Sequence, residues 1–289
     1  MQAPYDPLPI KDDSEIISLR AAAEKLGVHY MTAYRYVRLG TLPAQKVGGT
    51  WQVRIEDLRP LRSAAAAQPG PIGIRWSPYR TQLFDRLIAG DEHAAWSIIE
   101  RALVRGAPAR DIHLELMVSV LQDIGDAWAK GNIDIAAEHR ASTVAVRLVG
   151  RLGPHFARRG PKLATIVIGA AAGDYHSLPL AILGDIMRGE GFTILDLGPN
   201  TPPDSFVQST HTYDDTIAVS ISVGSDETLD AARHTAALLH EQVPDIHVFI
   251  GGPAITSEHD ARNLGADEYG ATALDVARRC IELAAGTKR

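Results

Sequence analysis

Cysteine is all but missing from this sequence. Cys280 is the only one, which excludes an internal disulfide and a thiolate metal cluster. Long apolar runs are missing too. None approaches the ~20 residues that span a bilayer, so no membrane partner is expected. The opening stretch MQAPYDPLPIKDDSE lacks the basic-then-apolar order of a secretory signal. Together these absences predict a cytoplasmic protein. What is present, 45% hydrophobic and 22% charged residues over 289 positions, fits globular protein in two or three domains. Charge is unevenly spread. Residues 1–67 carry nine Lys and Arg against seven Asp and Glu, and the rest carries 20 against 28. A slightly basic head on an acidic body points to nucleic acid as a partner of the head alone.

Composition divides the chain. Residues 1–67 form one segment, and the Ala/Pro/Gly-rich stretch at 68–78 reads as a linker. Residues 79–158 show helical periodicity throughout, with a core stripe at Leu116, Val120, Leu121 and Ile124. Residues 159–289 alternate strand-like runs (LATIVIG, FTILDLG, TIAVSISV, HVFIGG and a short ADEYG) with amphipathic helices. That alternation predicts a doubly wound α/β domain with a parallel five-stranded sheet, whose ligands bind outside the carboxyl ends of the strands. The stretch GDYHSLP sits at such an end, with Asp174 and His176 two residues apart.

Within the head, Ser18 is placed to cap a helix striped by Leu19, Ala22, Ala23 and Leu26, and Gly27 supplies a turn. A second helix near Tyr30 to Leu39 packs through Ala33, Val37 and Tyr34. It leaves Tyr30, Met31, Thr32, Arg35 and Arg38 for a major groove. Two short strands flank Gly48-Gly49 as a wing, with Lys46 and Arg54 in reach of phosphates. These features resemble the winged helix-turn-helix of MerR and excisionase-like regulators. Such a small module contacts few bases, so a dimer or tetramer on paired half-sites is implied.

In the middle segment Trp128 is followed, after nine residues, by Glu138-His139. Taken alone, this reads as a core tryptophan and a local helix-start pair. Taken with the domain order and the Asp-x-His at the first strand exit, it resembles the CarH-type, adenosylcobalamin-dependent light-responsive repressors. The α/β half also looks like the flavodoxin-like corrinoid-binding domain of methionine synthase and the B12-dependent mutases. Its signature is Asp-x-His-x-x-Gly, then Ser-x-Leu, then Gly-Gly. Here Asp174, His176, Ser222 and Gly251-Gly252 match, with Ser220 an alternative for the serine. Forty-two residues separate Pro179 from Ser222, and 28 separate Ser222 from Gly251.

The resemblance implies a cobalamin cofactor under a four-helix-bundle cap. His176 would be the cobalt ligand and Asp174 its orienting carboxylate. Ser222, Gly251 and Gly252 would line the slot for the nucleotide tail. Trp128, Glu138 and His139 would contact the upper axial group, adenosyl in that family. The implied function is a cobalamin-dependent, non-enzymatic transcription regulator, a repressor responsive to light, that binds operator DNA as an oligomer. A corrinoid methyl carrier is the alternative. Three positions depart from the pattern, the first being Gly224, which stands where Ser-x-Leu has its leucine. Pro179 replaces the glycine of the first motif, which predicts a differently seated loop and admits haem or a bilin as alternative ligands. Ala129 follows the motif tryptophan and cannot coordinate metal. The remaining histidines read as surface or structural, except His29 in the turn entering the second helix, and Cys280 reads as a small buried hydrophobe.

Overall fold

The computed structural model describes residues 16–26, 37, 42–47, 50–58 and 74–286. The chain divides into two compact units, one up to Gly73 and one from Ile74.

In the first unit β1 (Ile16–Ser18) leads directly into helix α1 (Leu19–Leu26). The Ala21 N–H donates to Ser18 Oγ at 3.2 Å, so Ser18 satisfies one of the unpaired amides that every helix start leaves. Strands β2 (Gln45–Val47) and β3 (Thr50–Arg54) pair antiparallel with Val47 opposite Thr50, the hairpin expected around Gly48-Gly49. β3 also pairs with β1, giving the order β1-β3-β2 over a core of Leu19, Ala22, Leu42, Val53 and Leu58. Lys46 is exposed on β2, and Arg54 closes β3 beside Glu56. The predicted groove-facing residues Tyr30, Met31, Thr32, Arg35 and Arg38 lie outside the described residues, as do Gly27, Gly48 and Gly49.

The second unit opens with four helices: α2 (Trp76–Ala89), α3 (Glu92–Val104), a composite α4 and α5 (Ile135–Leu152). Composite α4 runs continuously through Ala109–Asp111, a π-helical turn at Ile112–Met117, and Val118–Ala129. Asp91 and Asp134 cap α3 and α5 by accepting from the Ala94 and Ala137 N–H groups. Leu83, Leu87, Ile99, Leu116, Val120, Ile124 and Leu148 fill the interior, each buried apolar side chain contributing about 1.5–3 kcal/mol. Leu121 of the predicted stripe packs only partly buried against it.

The α/β part follows as β4 (Thr165–Ala170), α6 (Leu178–Glu190), β5 (Thr193–Asp196), α7 (Pro203–Thr210) and β6 (Thr216–Ser222). It ends with α8 (Leu229–Gln242), β7 (His247–Gly251), α9 (Glu258–Asn263) and α10 (Ala273–Gly286). Four parallel strands order as β5-β4-β6-β7. The period-two alternation of β4 sends Ile166 and Ile168 into a core shared with α6, α10 and the bundle. Val167 goes into the opposite core with α7 and α8. The bundle thus packs on one face of the α/β layer rather than forming a separate core.

The five-stranded expectation needs correction. ADEYG contributes one parallel bridge, Phe249 to Glu268, and no strand. The Asp267 and Glu268 N–H groups converge on one acceptor, the Val248 carbonyl, instead of stepping along the edge. Gly270 then runs close against the Val276 backbone of α10, where an added Cβ would meet N at 2.6 Å.

A buried polar contact fastens bundle to sheet. His113, in the π-helical turn, has no exposure and stacks on Phe156 at 4.8 Å. Its Nε2–H donates to Asp185 Oδ2 on α6 at 2.9 Å, and Arg188 Nη1 donates to the other carboxylate oxygen.

Candidate functional site

The strand order reverses between β4 and β6, and at that switch the carboxyl ends hold two loops side by side. The first, after β4, carries Asp174 and His176. Asp174 is buried and its carboxylate accepts three hydrogen bonds. Oδ1 takes the His176 N–H at 3.0 Å and His176 Nδ1–H at 2.7 Å, and Oδ2 takes the Gly224 N–H at 2.6 Å. With Nδ1 acting as donor to a carboxylate, the hydrogen-bond network assigns the Nε2 lone pair to the outward nitrogen. The His176 side chain is 66% exposed. An oriented, outward imidazole nitrogen backed by a carboxylate is the arrangement of a metal-ligating histidine.

The second loop supplies space. Ser222 ends β6 opposite Gly251, and its Oγ is buried with no partner. A buried hydroxyl left unpaired costs about 1–3 kcal/mol, which a ligand acceptor or donor recovers. At Gly251 an added Cβ would meet nothing within 4 Å. At Gly252, with φ at +117°, it would lie 2.5 Å from the Val223 carbonyl oxygen. The first glycine leaves room beside the hydroxyl and the second lets two backbones touch. Ser220, the alternative serine, is buried within β6. The oriented His176, the unpaired Ser222 hydroxyl and the open space at Gly251 have the chemistry a corrinoid site calls for.

Pro179 occupies the first turn of α6, two residues after Ser177 at the N-cap. There its missing N–H costs no helical bond, because the first amides of a helix have no partner within it.

In the bundle, Glu138 stands in the first turn of α5. Its Oε2 lies 2.6 Å from His139 Nδ1 and its Oε1 accepts from Ser142 Oγ at 2.6 Å. Burial pushes the Glu138 carboxyl up, but the hydrogen bonds from Ser142 and His139 outweigh it. The net effect holds Glu138 below the usual glutamate value. Trp128 lies one residue from the end of α4, half exposed, with Ala129 last. His139 is exposed.

Sequence reasoning missed two participants. Gly224 is required because an added Cβ would fall 2.5 Å from His176 Nδ1. Its signal was present as the residue two after Ser222. Asn200 accepts from the Gly173 N–H through Oδ1 at 2.7 Å, and only its positive φ reveals it.

Three family models match the chain. Residues 164–278 match the B12 binding domain, residues 79–152 match a second model described as B12 binding domain, and residues 17–59 match a helix-turn-helix domain. The chain is similar to trimethylamine corrinoid protein 1 of Methanosarcina acetivorans, 24% identical over 196 residues, 66% of this chain and 90% of that protein. It is also similar to the dimethylamine corrinoid protein of Methanosarcina barkeri, 26% identical over 211 residues, 71% of this chain and 96% of that protein. In fold it is similar to the solved monomethylamine corrinoid protein of Methanosarcina barkeri, with a TM-score of 0.64 over 71% of this chain and 98% of that one, at 18% identity. The relatives found are corrinoid proteins rather than light-responsive repressors. The helical bundle and the α/β layer therefore match, in sequence order, two models of a B12 binding domain, and cobalamin binding is the property these matches support.

Proposed function

We propose that this protein binds a corrinoid, with His176 as the cobalt ligand. The carrying observation is that buried Asp174 holds His176 Nδ1 at 2.7 Å and leaves Nε2 on an exposed ring, while the Ser222 hydroxyl at the neighbouring strand end is buried and unpaired. Asp174 fixes the tautomer and raises the basicity of the ring. Ser222, Gly251 and Gly252 receive the displaced tail. Trp128, Glu138 and His139 offer an aromatic face and hydrogen-bonding groups to whatever occupies the far side. When bound, the corrinoid would supply a cobalt centre able to hold and release an alkyl group.

For the unit from Ile74 the favoured use is that of a corrinoid carrier, which presents its alkyl group to protein partners and is not itself the catalyst. The similar proteins are corrinoid proteins matched over nine tenths or more of their own length. The methyl form of the cofactor goes with that reading. A second reading is favoured by the helix-turn-helix match at 17–59, a segment with Ser18 capping α1 and a hairpin wing behind it. There the corrinoid unit governs DNA binding by the N-terminal unit, with Lys46 and Arg54 at phosphates and Tyr30, Met31, Thr32, Arg35 and Arg38 toward bases. Adenosylcobalamin and light sensitivity belong to this second reading.

An absorption spectrum of the chain reconstituted with methylcobalamin, and separately with adenosylcobalamin in the dark, tests the first claim. Retained corrinoid with imidazole-coordinated cobalt supports it, and a spectrum of haem or bilin from the expressing cell with no corrinoid uptake refutes it. Retention of the same protein on genomic DNA fragments, with and without corrinoid and before and after green light, separates regulator from carrier. A carrier shows no corrinoid-dependent DNA binding.

A further inference from the structure

The loop bearing Asp174 and His176 is a tight turn that does not hold its own shape. Ala171 to Asp174 closes through the Asp174 N–H donating to the Ala171 carbonyl at 2.9 Å, with Gly173 third at φ +89°. In a four-residue turn of this kind the middle peptide is the free element. Its N–H has no partner within the turn, and rotating it interconverts two turn types with little movement elsewhere. Here that N–H belongs to Gly173, and Asn200 Oδ1 accepts it at 2.7 Å. The Asn200 N–H in turn donates to the Asp174 carbonyl at 2.6 Å. Asn200 therefore grips the turn at both its middle and its last peptide.

Asn200 can do so because its own platform is fixed. The Leu197 N–H donates to the Ile168 carbonyl at 2.8 Å. The Ala170 N–H donates to the Gly198 carbonyl at 3.0 Å, and the Thr201 N–H to the Ala170 carbonyl at 2.9 Å. These bonds bolt the loop after β5 to the end of β4. Asn200 adopts φ +51°, the one positive value outside glycine among the described residues. Asparagine tolerates that region better than most side chains. Glycine tolerates it better still but carries no side-chain acceptor, so the conformation alone does not call for asparagine.

We infer that Asn200 is a positioning residue for the lower-ligand histidine. By pinning the middle peptide of the Ala171–Asp174 turn it keeps the Asp174 carboxylate where it holds His176 Nδ1. The inference rests on His176 being the cobalt ligand, and its test separates the two. Asn200→Gly keeps the backbone angle and removes the acceptor, while Asn200→Asp keeps an oxygen acceptor. In the corrinoid-free full chain, amide exchange at Gly173 and His176 and the ¹⁵N shifts of the His176 imidazole report the turn directly. Asn200→Gly is expected to speed exchange at both amides by about three- to tenfold, the scale of one modest hydrogen bond, and to lower the Nδ1–H tautomer population. Asn200→Asp restores both. With methylcobalamin, Asn200→Gly is expected to weaken retention by a similar factor. Unchanged exchange and tautomer in Asn200→Gly overturn the positioning role even if corrinoid binds. The expected changes in a chain that takes up no corrinoid uphold the role and refute the cobalt-ligand reading alone.

Discussion

Two of the molecule's histidine–aspartate pairs serve opposite ends. At the rim of the sheet, Asp174 is buried and its histidine is exposed, with Nδ1 held at 2.7 Å and Nε2 facing out. At the back of the bundle both partners are buried. His113 donates through Nε2 to Asp185 at 2.9 Å, and its Nδ1 is enclosed with no partner. The bonded atoms are alike. Which nitrogen is left over, and whether anything can reach it, separates a ligand from a fastening. A pair that spends its second nitrogen on packing can join α4 to α6 but can hold no metal. One that points it outward is a candidate site.

Breaking each pair in turn sharpens the contrast. The largest effect is expected from Asp185→Ala, which leaves His113 buried with neither nitrogen bonded. Urea unfolding should show a loss of about 3–5 kcal/mol, as for other buried pairs deprived of one partner. Next comes Gly252→Ala, which drives a methyl group against the Val223 backbone at a positive φ. It should cost about 1–3 kcal/mol and abolish corrinoid retention on gel filtration.

Asp174→Asn removes the charge from an acceptor of three hydrogen bonds. A loss of about 1–2 kcal/mol in thermal unfolding and a 10–100-fold loss of corrinoid affinity by titration are expected. His176→Ala should change stability by no more than about 0.5 kcal/mol, because the ring is exposed. It should nevertheless erase the spectrum of imidazole-bound cobalt. If it instead destabilised as much as Asp185→Ala, the two pairs would not differ in kind.

The smallest effect concerns Glu138. Its carboxyl sits below the usual glutamate value in the folded chain. The ionised form therefore favours folding above the unfolded value of about 4.3, and that contribution is lost as pH falls through the lower folded value. Glu138→Gln should flatten the acid limb of a plot of melting temperature against pH and leave the neutral limb nearly unmoved.

Much of this was legible in the residues. Ser18 before an apolar stripe foretold the cap of α1, and the strand–helix alternation after residue 159 foretold a parallel sheet with its site at a carboxyl end. The spacing of Asp174, His176, Ser222 and Gly251-Gly252 put the candidate ligands at the strand ends where they are found. The fifth strand failed because ADEYG has the composition of an edge strand, while Asp267 and Glu268 direct both amides to one carbonyl. Pro179 falls in the first turn of α6, where a proline costs no helical bond, and only the start of that helix decides this.

Local chemistry by itself determined where helices start, which strand faces are apolar and which side chains can ligate metal, because these depend on neighbours a few positions away. Tertiary structure decided the rest. His113 and His176 each have a carboxylate partner and differ in sequence by nothing that marks one as buried. Asn200 meets Gly173 across 27 positions, and Gly224 meets Asp174 across 50. Burial, the choice of free nitrogen and the bracing of a turn are properties of what packs together from distant parts of the chain. They exist only once the sheet has brought β4, β5 and β6 side by side.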